Sequence, residues 1–303
     1  MDGSEPKTNA STGADAAARA QGLALVTGAS QGVGREIALL LAQGGWNLLL
    51  VARSEERLQT LQAELSAQYP VTVHYIRADL SEPFAVDRLK AECDAQRYAV
   101  DLLVNNAGAG LFGESVELGD KALAMLSLNV VALTELCAFF GRDMKRRGHG
   151  SILNIGSIAG NQPTAYFASY AASKSYVLNY SLALRQELRP YGVNVTCVQP
   201  GYIRTNFDTN CNITSEAYKN FSYRNGMSAQ AVAKCAVQAV LARRSYVRVG
   251  FANKCAAFLS GLVPKNALAA LLAASVRSMT KDARRQSRPK NSPTAPTPDK
   301  DVS

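Results

Sequence analysis

Apolar residues along this chain fall into short runs separated by longer amphipathic stretches, and the alternation begins at residue 22. Residues 23–27 form a brief apolar run that stops at a glycine, and 33–43 carry apolar side chains at helical spacing. The couplet then repeats. Buried strands are predicted at 46–51, 71–76, 101–105, 151–156 and 193–199, with a short seventh at 246–249. Helices are predicted at 54–68, 83–97, 118–147, 164–189 and 228–242, the last with Ser228 as N-cap. Strand and helix in alternation predict a parallel sheet with helices on both faces. Strands that are apolar almost throughout predict a sheet covered on both sides. The expected fold class is α/β: a doubly wound parallel sheet, Rossmann-like, of about seven strands.

The ends of the chain break this pattern. Residues 1–21 are rich in Ala, Ser, Thr and Gly and lack large apolar side chains, which predicts a disordered arm. The α/β domain is expected over 22–250. Residues 251–280 are helical in pattern and apolar, interrupted by Pro264 and Lys265. Three readings of this extension stay open: a cap over a pocket, an oligomer contact, or a helix lying in a membrane interface. Residues 281–303 hold four of the eleven prolines and predict a disordered basic tail. The tail's charge, starting at Lys281, favours anionic lipid among those readings. Ser287 follows two arginines as in a basic-directed phosphorylation site, and Ser292 and Thr297 precede prolines. Between the sixth strand and the Ser228 helix, residues 202–227 include Phe207, Tyr218, Phe221, Tyr223 and Met227. These aromatics read equally as an apolar pocket wall or as packing onto the sheet.

Composition narrows the function. Of 303 residues 47% are hydrophobic, enough for a large core, and the formal net charge is +9. A basic body suits an anionic ligand such as a phosphorylated cofactor. No basic run interleaved with aromatics appears in the body, which argues against nucleic acid as a partner. The six cysteines form no C-x-x-C pair, so neither a zinc site nor a redox motif is expected and no metal is invoked. They read as buried thiols of a reducing compartment. The N-terminus has no apolar signal-peptide core, and no uncharged apolar stretch reaches a membrane span of ~18–20 residues. The expectation is a cytoplasmic protein, with peripheral contact to an intracellular membrane left open.

The candidate chemistry sits at strand ends. Thr27-Gly28-Ala29-Ser30-Gln31-Gly32-Val33-Gly34 joins the first strand to the first helix. Glycines there let main chain approach a pyrophosphate at a helix N-terminus, where amide dipoles favour negative charge. The second strand ends Val51-Ala52-Arg53. An acid here would grip a ribose 2′-hydroxyl, whereas a guanidinium suits a 2′-phosphate, so NADP(H) is favoured over NAD. The other reading of Arg53 is a solvated first-turn charge. Asp79 could accept from an adenine amino group or cap the next helix. Asn105-Asn106-Ala107-Gly108 places small residues at the fourth strand's end, and Ser157 follows the fifth. Tyr170 and Lys174 lie four apart, on one helical face. An ammonium beside a phenol stabilises phenolate, so the Tyr170 pKa is expected below its usual ~10. His74 and His149 lie away from these motifs and read as structural.

Residues 22–250 resemble a short-chain dehydrogenase/reductase of the single-domain type. The matching elements are Thr27-Gly28…Gly32…Gly34, Asp79, Asn105-Asn106-Ala107-Gly108, Asn129, Ser157, Tyr170…Lys174 and Pro200-Gly201…Thr205. The resemblance implies a catalytic set. Asn129 would hold a water in a proton relay, and Ser157 would bind the substrate oxygen. Tyr170 would move the proton, and Lys174 would hold the nicotinamide ribose and assist Tyr170. It also implies a cofactor site of Gly28, Ser30, Gln31, Gly32, Val33, Gly34, Arg53, Asp79, Asn106, Ala107, Gly108, Lys174, Pro200, Gly201 and Thr205. Residues 202–227 would be a mobile lid, and the partners a small carbonyl or alcohol substrate and further copies of the chain in a homo-oligomer. The substrate leaning is an apolar ketone or 3-oxoacyl compound. A cofactor-bound regulatory or scaffold protein without turnover is the alternative.

Overall fold

The computed structural model describes residues 22–286, apart from 206, 208–210 and 212. The expected arm (1–21) and the three phosphorylation positions lie outside the described residues. In chain order the strands are β1 (Leu23–Thr27), β2 (Asn47–Ala52), β3 (Val73–Arg77), β4 (Val100–Asn105), β5 (Gly150–Ile155), β6 (Val193–Gln199), β7 (Ile203–Arg204), β8 (Met227–Ser228) and β9 (Tyr246–Arg248). The helices are α1 (Gly32–Gln43), α2 (Glu55–Gln68), α3 (Ala85–Ala95), α4 (Gly119–Leu126), α5 (Leu133–Arg147), α6 (Ala168–Leu188), α7 (Glu216–Asn225), α8 (Ala229–Leu241), α9 (Phe251–Leu262) and α10 (Lys265–Gln286).

Seven strands pair in parallel in the order β3-β2-β1-β4-β5-β6-β9. This is the expected doubly wound sheet. Helices α1, α2 and α8 pack on one face through Ile37, Leu58 and Val232; α3, α5 and α6 pack on the other through Leu89, Leu136 and Val177. Along β2, Leu48 and Leu50 enter the first core while Leu49 and Val51 enter the second. Period-two side chains buried on both faces explain why the strand reads as an unbroken apolar run. The strand order reverses between β1 and β4, the point where ligands bind in open α/β sheets.

The structure departs from the expected elements in four places. The helix expected over 118–147 is α4, a π-helical turn at Ser127–Ala132, and α5. The stretch Gly119–Arg147 is long and apolar enough to cross a membrane by length and composition. Yet Leu133, Leu136, Cys137, Phe140 and Met144 pack into the sheet's core, so it serves as a core helix. Helix α6 starts at Ala168 rather than 164, because Tyr166 just before it holds a left-handed φ of 65°. The segment 202–227 contains a small β7–β8 bridge and α7, whose N-cap Ser215 accepts from Tyr218 N. The expected disordered tail is helical as far as Gln286 at the end of α10.

A buried polar ladder ties the middle strands to α6. Asn105 Nδ2 donates to Asn154 Oδ1 (2.9 Å), Asn154 Nδ2 donates to Ser181 Oγ (2.9 Å), and Ser181 Oγ donates to Val177 O (2.6 Å). All three side chains are buried, so removing one member leaves its neighbours without water as a substitute. Asn154→Ala leaves Asn105 Nδ2 with Cys137 Sγ (3.2 Å) as its remaining partner and takes the donor from Ser181 Oγ, at a cost of about 1–3 kcal/mol. Urea denaturation is expected to show a loss of this order; a variant as stable as the parent would show that the ladder is dispensable.

Candidate active site

The glycine turn is held from behind. Thr27 Oγ1 donates to Val104 O (3.1 Å) and accepts from the N–H groups of Asn106 and Ala107 (3.0 Å each). Asn106 Nδ2 donates back to Thr27 O (3.0 Å) and Gly28 O (3.3 Å). The Asn106 side chain is thus a brace for the turn. Gly28 and Gly32 have left-handed φ of 64° and 57°. A Cβ on Gly34 would strike Gly28 O and Asn106 Nδ2, so the first helical turn lies tight against β1. A Cβ on Gly32 would meet only Thr205 Cγ2, at 3.6 Å. Gln31, the N-cap of α1, makes no side-chain cap bond, and the first turn has no acid. Unfilled space, unsatisfied amides and no competing carboxylate are what a pyrophosphate requires.

Arg53, just past β2, points outward with a side chain 77% exposed, its Nη1 3.8 Å from Asp79 Oδ2. Both line a hollow of about 630 Å³ with Arg77 and Arg88. Asp79 caps no helix. Its Oδ1 accepts from Ser81 N (3.0 Å) and Ser81 Oγ (2.6 Å). Burial works against its charge, but these bonds and Arg53 prevail and hold the carboxyl below its usual range. Arg57 on α2, not singled out in the sequence, donates to Gln31 Oε1 (2.8 Å) beside this hollow.

Ser157, Tyr170 and Lys174 converge above the carboxyl end of β5. Ser157 stands at the start of a 3₁₀ turn, Ile158–Asn161, that packs against α6. Its Oγ accepts from Ala159 N (3.2 Å), and its side chain lies close enough to the Tyr170 phenol to favour phenolate. Gln199 at the end of β6 donates to Ser157 O (3.2 Å), fixing the turn from below. Lys174 is buried and donates to Ile155 O (2.9 Å), with Nζ 6.0 Å from the Tyr170 ring centre. Burial pushes the Tyr170 phenol up to about 12, against the pull of Ser157 and with a further push from Cys211. Burial also pulls Lys174 down to about 8. The expectation that Lys174 lowers the phenol is therefore corrected. The ammonium is turned to a main-chain carbonyl, and desolvation of the phenol is the larger effect.

Asn129 lies in the π-helical turn, a feature frequent at functional sites. Its Nδ2 donates to Ala109 O (2.8 Å) and Ser173 Oγ (3.1 Å), and its Oδ1 accepts from Ala109 N (2.9 Å). One Oδ1 lone pair remains. A Cβ on Gly108 would lie 3.2 Å from Asn129 Oδ1 and 3.4 Å from Lys174 Nζ, so this glycine keeps the gap between them clear. Ser173, which the sequence reading passed over, connects the two sides by donating to Tyr170 O (2.7 Å). Its place between Tyr170 and Lys174 was the available signal.

Over the site lies an aromatic wall. Phe167, Cys211, Ile213 and Tyr218 are buried together, packed by Phe112, Tyr202, Phe207 and Met279. The Phe207 and Tyr170 ring centres are 5.7 Å apart. Thr205 donates no side-chain bond to the glycine turn but accepts from Phe207 N (3.3 Å). Pro200 takes Ile158 N on its carbonyl (2.9 Å), and Gly201 lies against Asn253 of α9. His74 lies beside Tyr98 with the two rings tilted at 41°, and His149 stands 3.7 Å from Asp101, both far from the site in sequence and topology.

A switch-point crevice with a glycine-lined helix N-terminus marks a nucleotide-binding α/β protein. The family model described as short chain dehydrogenase matches residues 22–216, and the chain belongs to that family. It is 33% identical over 189 residues to a very-long-chain 3-oxoacyl-CoA reductase of Phaeosphaeria nodorum, covering 60% of this chain and 55% of that one. The chain thus spans little more than half the length of that relative. Its fold is similar to a short-chain dehydrogenase from Sphingobium yanoikuyae in complex with NADPH, with a TM-score of 0.70 at 26% identity, covering 89% of this chain and 98% of that one. It is also similar to a bulky-bulky ketone specific alcohol dehydrogenase from Comamonas testosteroni, with a TM-score of 0.67 at 28% identity, covering 80% and 94%.

The shifted groups give a pH signature. Unfolded, Lys174 holds its proton to about its usual 10.5; folded, only to about 8. Between those values the unfolded chain binds more protons, so Lys174 makes stability rise with pH. Tyr170 acts oppositely, lowering stability as pH climbs from its usual 10.0 to about 12. In thermal denaturation of the cofactor-free protein, Lys174→Met is expected to remove a rise in Tm between pH 8 and 10. A slope identical to the parent's would contradict a desolvated lysine.

Proposed function

We propose that the chain is an NADP(H)-dependent oxidoreductase that interconverts a carbonyl and a secondary alcohol, with Tyr170 moving the proton at oxygen. The observation that carries this reading is that the Ser157 side chain and the Tyr170 phenol lie close together, one helical turn from Lys174 and across from the open glycine turn. When bound, the nicotinamide supplies the hydride in reduction and takes it up in oxidation. The amides of Gly28, Ser30, Gln31, Gly32, Val33 and Gly34 would hold the pyrophosphate. Arg53 would take the 2′-phosphate, Asp79 the adenine amino group, and Asn106, Ala107 and Gly108 the ribose side of the crevice. Pro200, Gly201 and Thr205 would border the nicotinamide end, and Lys174 the ribose beside it.

Ser157 then orients the substrate oxygen toward Tyr170, which protonates it in reduction. The phenol pushed up to about 12 is fully protonated at neutral pH, but it is a weaker acid than an ordinary tyrosine. Phenolate formation next to Lys174 restores the ammonium's counter-charge, so each group corrects the other's cost of burial. A water in the gap that Gly108 leaves between Asn129 Oδ1 and Lys174 Nζ would return the proton from solvent. The substrate class this reading favours is an apolar ketone or 3-oxoacyl compound. It is supported by the aromatic wall over Tyr170 and by the substrates named for the fungal reductase and the Comamonas enzyme.

Assayed by NADPH oxidation against ketones, aldehydes and acyl thioesters, Tyr170→Phe is expected to lower kcat by ~10²–10⁴ with NADPH affinity unchanged. Full activity in that variant would remove Tyr170 from the mechanism, and no turnover by the parent on any panel member would favour a non-catalytic role. Arg53→Asp is expected to weaken NADPH binding by roughly 10- to 100-fold, the worth of a charge-assisted hydrogen bond, and to spare NADH. Equal effects on both cofactors would refute the 2′-phosphate contact.

A further inference from the structure

Charge and exposed apolar surface coincide on one part of this molecule. Residues 1–200 hold 17 Lys and Arg against 19 Asp and Glu. Over the carboxyl end of the sheet, the described residues of 201–228 and 250–279 hold six Lys and Arg against one acid. They therefore carry +5 of the chain's +9. The one acid, Glu216, is paired with Lys219 (2.9 Å). Among the described residues, Arg224, Lys254 and Lys265 have no acidic partner within 4.0 Å.

The same segments expose large apolar side chains. On α9, Phe251 is 81% exposed, Phe258 67% and Leu262 68%, and Leu259 is exposed beside them. Phe251, Cys255, Phe258 and Leu262 follow a four-three-four spacing, which places them in one stripe along the helix. The opposite face of α9 is engaged: it packs on the Ser157 turn, and Asn253 meets Gly201 and donates to Val249 O (2.7 Å). Tyr223 on α7 and Leu271 on α10 are exposed as well, and α10 packs on α7. Residues 1–21 and 287–303 contain no Leu, Ile, Phe, Tyr or Trp, so they offer little of the apolar surface that a cover for the stripe would need. A second copy is a poor occupant, because α9 has no acid and pairing two stripes would bring Lys254 and Lys265 of both copies together.

We propose that the face formed by α7, α9 and the start of α10 docks on an anionic membrane surface, with the α9 stripe in the interfacial layer and the surrounding Lys and Arg on lipid phosphates. Amphipathic helices bind in this way when apolar area and cationic charge act together. The proposal does not depend on the hydride chemistry. It would place the lid, and the aromatic wall beneath it, against the bilayer.

Flotation of the full-length protein with phosphatidylcholine vesicles, alone and with 30 mol% phosphatidylserine, tests it. Binding to the anionic vesicles is expected, weakening as salt is raised. Phe258→Glu with Leu262→Glu should lower partition at least tenfold. Lys254→Ala with Lys265→Ala should lower it by roughly fivefold per residue on anionic vesicles, with NADPH binding as a check of folding. No binding to anionic vesicles, or binding that neither double variant alters, overturns the proposal. So does a sedimentation experiment in which the Glu variants convert a dimer into a monomer, since the stripe would then be covered by a second copy.

Discussion

The hydroxyl of Thr27 is the constraint on which the site depends. It closes the seam between β1 and β4, where the strand order reverses and the sheet opens a crevice. Two main-chain amides from the 105–108 turn end on that one oxygen, and the Asn106 side chain returns to the carbonyls of Thr27 and Gly28. The glycine turn is consequently not a flexible loop. Its left-handed residues and the close passage of Gly34 are locked before any ligand arrives. Preorganisation of this kind removes the ordering cost that a mobile phosphate-binding loop would meet on binding.

The proton-handling groups follow a different logic. Tyr170 and Lys174 are pushed by the same cause, desolvation, in directions that bring each toward its neutral form. A phenol near 12 and an amine near 8 form a pair that is uncharged more readily than in water. At neutral pH an amine near 8 still mostly keeps its proton, so the lysine carries a charge there that burial makes costlier than in water. A phenolate would stabilise that charge, and the lysine the phenolate, which couples the two titrations. Lys174's bond to Ile155 O holds the ammonium ready without supplying a counter-charge. The π turn at Asn129, the glycine at 108 and Ser173 shape the gap between Asn129 Oδ1 and Lys174 Nζ, which under the proposed chemistry would be the path of the proton.

Much of this could be read in the sequence, for a physical reason. Strands buried on both faces announce themselves as runs such as Leu48-Leu49-Leu50-Val51, and glycines with left-handed φ cannot readily be replaced. The sheet, the glycine turn and the Ser228 cap were legible on those grounds. Three features were not. Tyr170's pKa depends on how much water the fold removes and where Lys174 points, and neither quantity is local in sequence. The brace role of Asn106 depends on β1 and β4 becoming neighbours across nearly eighty residues. Tyr166's left-handed backbone, which delays the start of α6, has no composition signal at all, since a bulky residue there is unfavourable by itself.

The lid adds a last constraint on what the site can accept. Gly110 has no side chain because Phe207 and Cys211 fill the space where one would stand. Phe207 in turn packs on the ring of Tyr170; under the proposed chemistry, a substrate oxygen bound at Ser157 would have to displace or slide along that phenyl group. Phe207 is partly buried, and exposing it further costs part of the ~1.5–3 kcal/mol of a fully buried Phe. An apolar substrate offsets that loss by covering Phe207 and the Phe167–Tyr218 wall with its own surface. A small polar carbonyl compound cannot, and would leave the ring exposed or the wall wet. Under the proposed chemistry, selectivity for bulky apolar carbonyl compounds therefore needs no polar contact to the substrate beyond Ser157 and Tyr170. It arises from the requirement that whatever opens the lid must replace the surface the lid had buried.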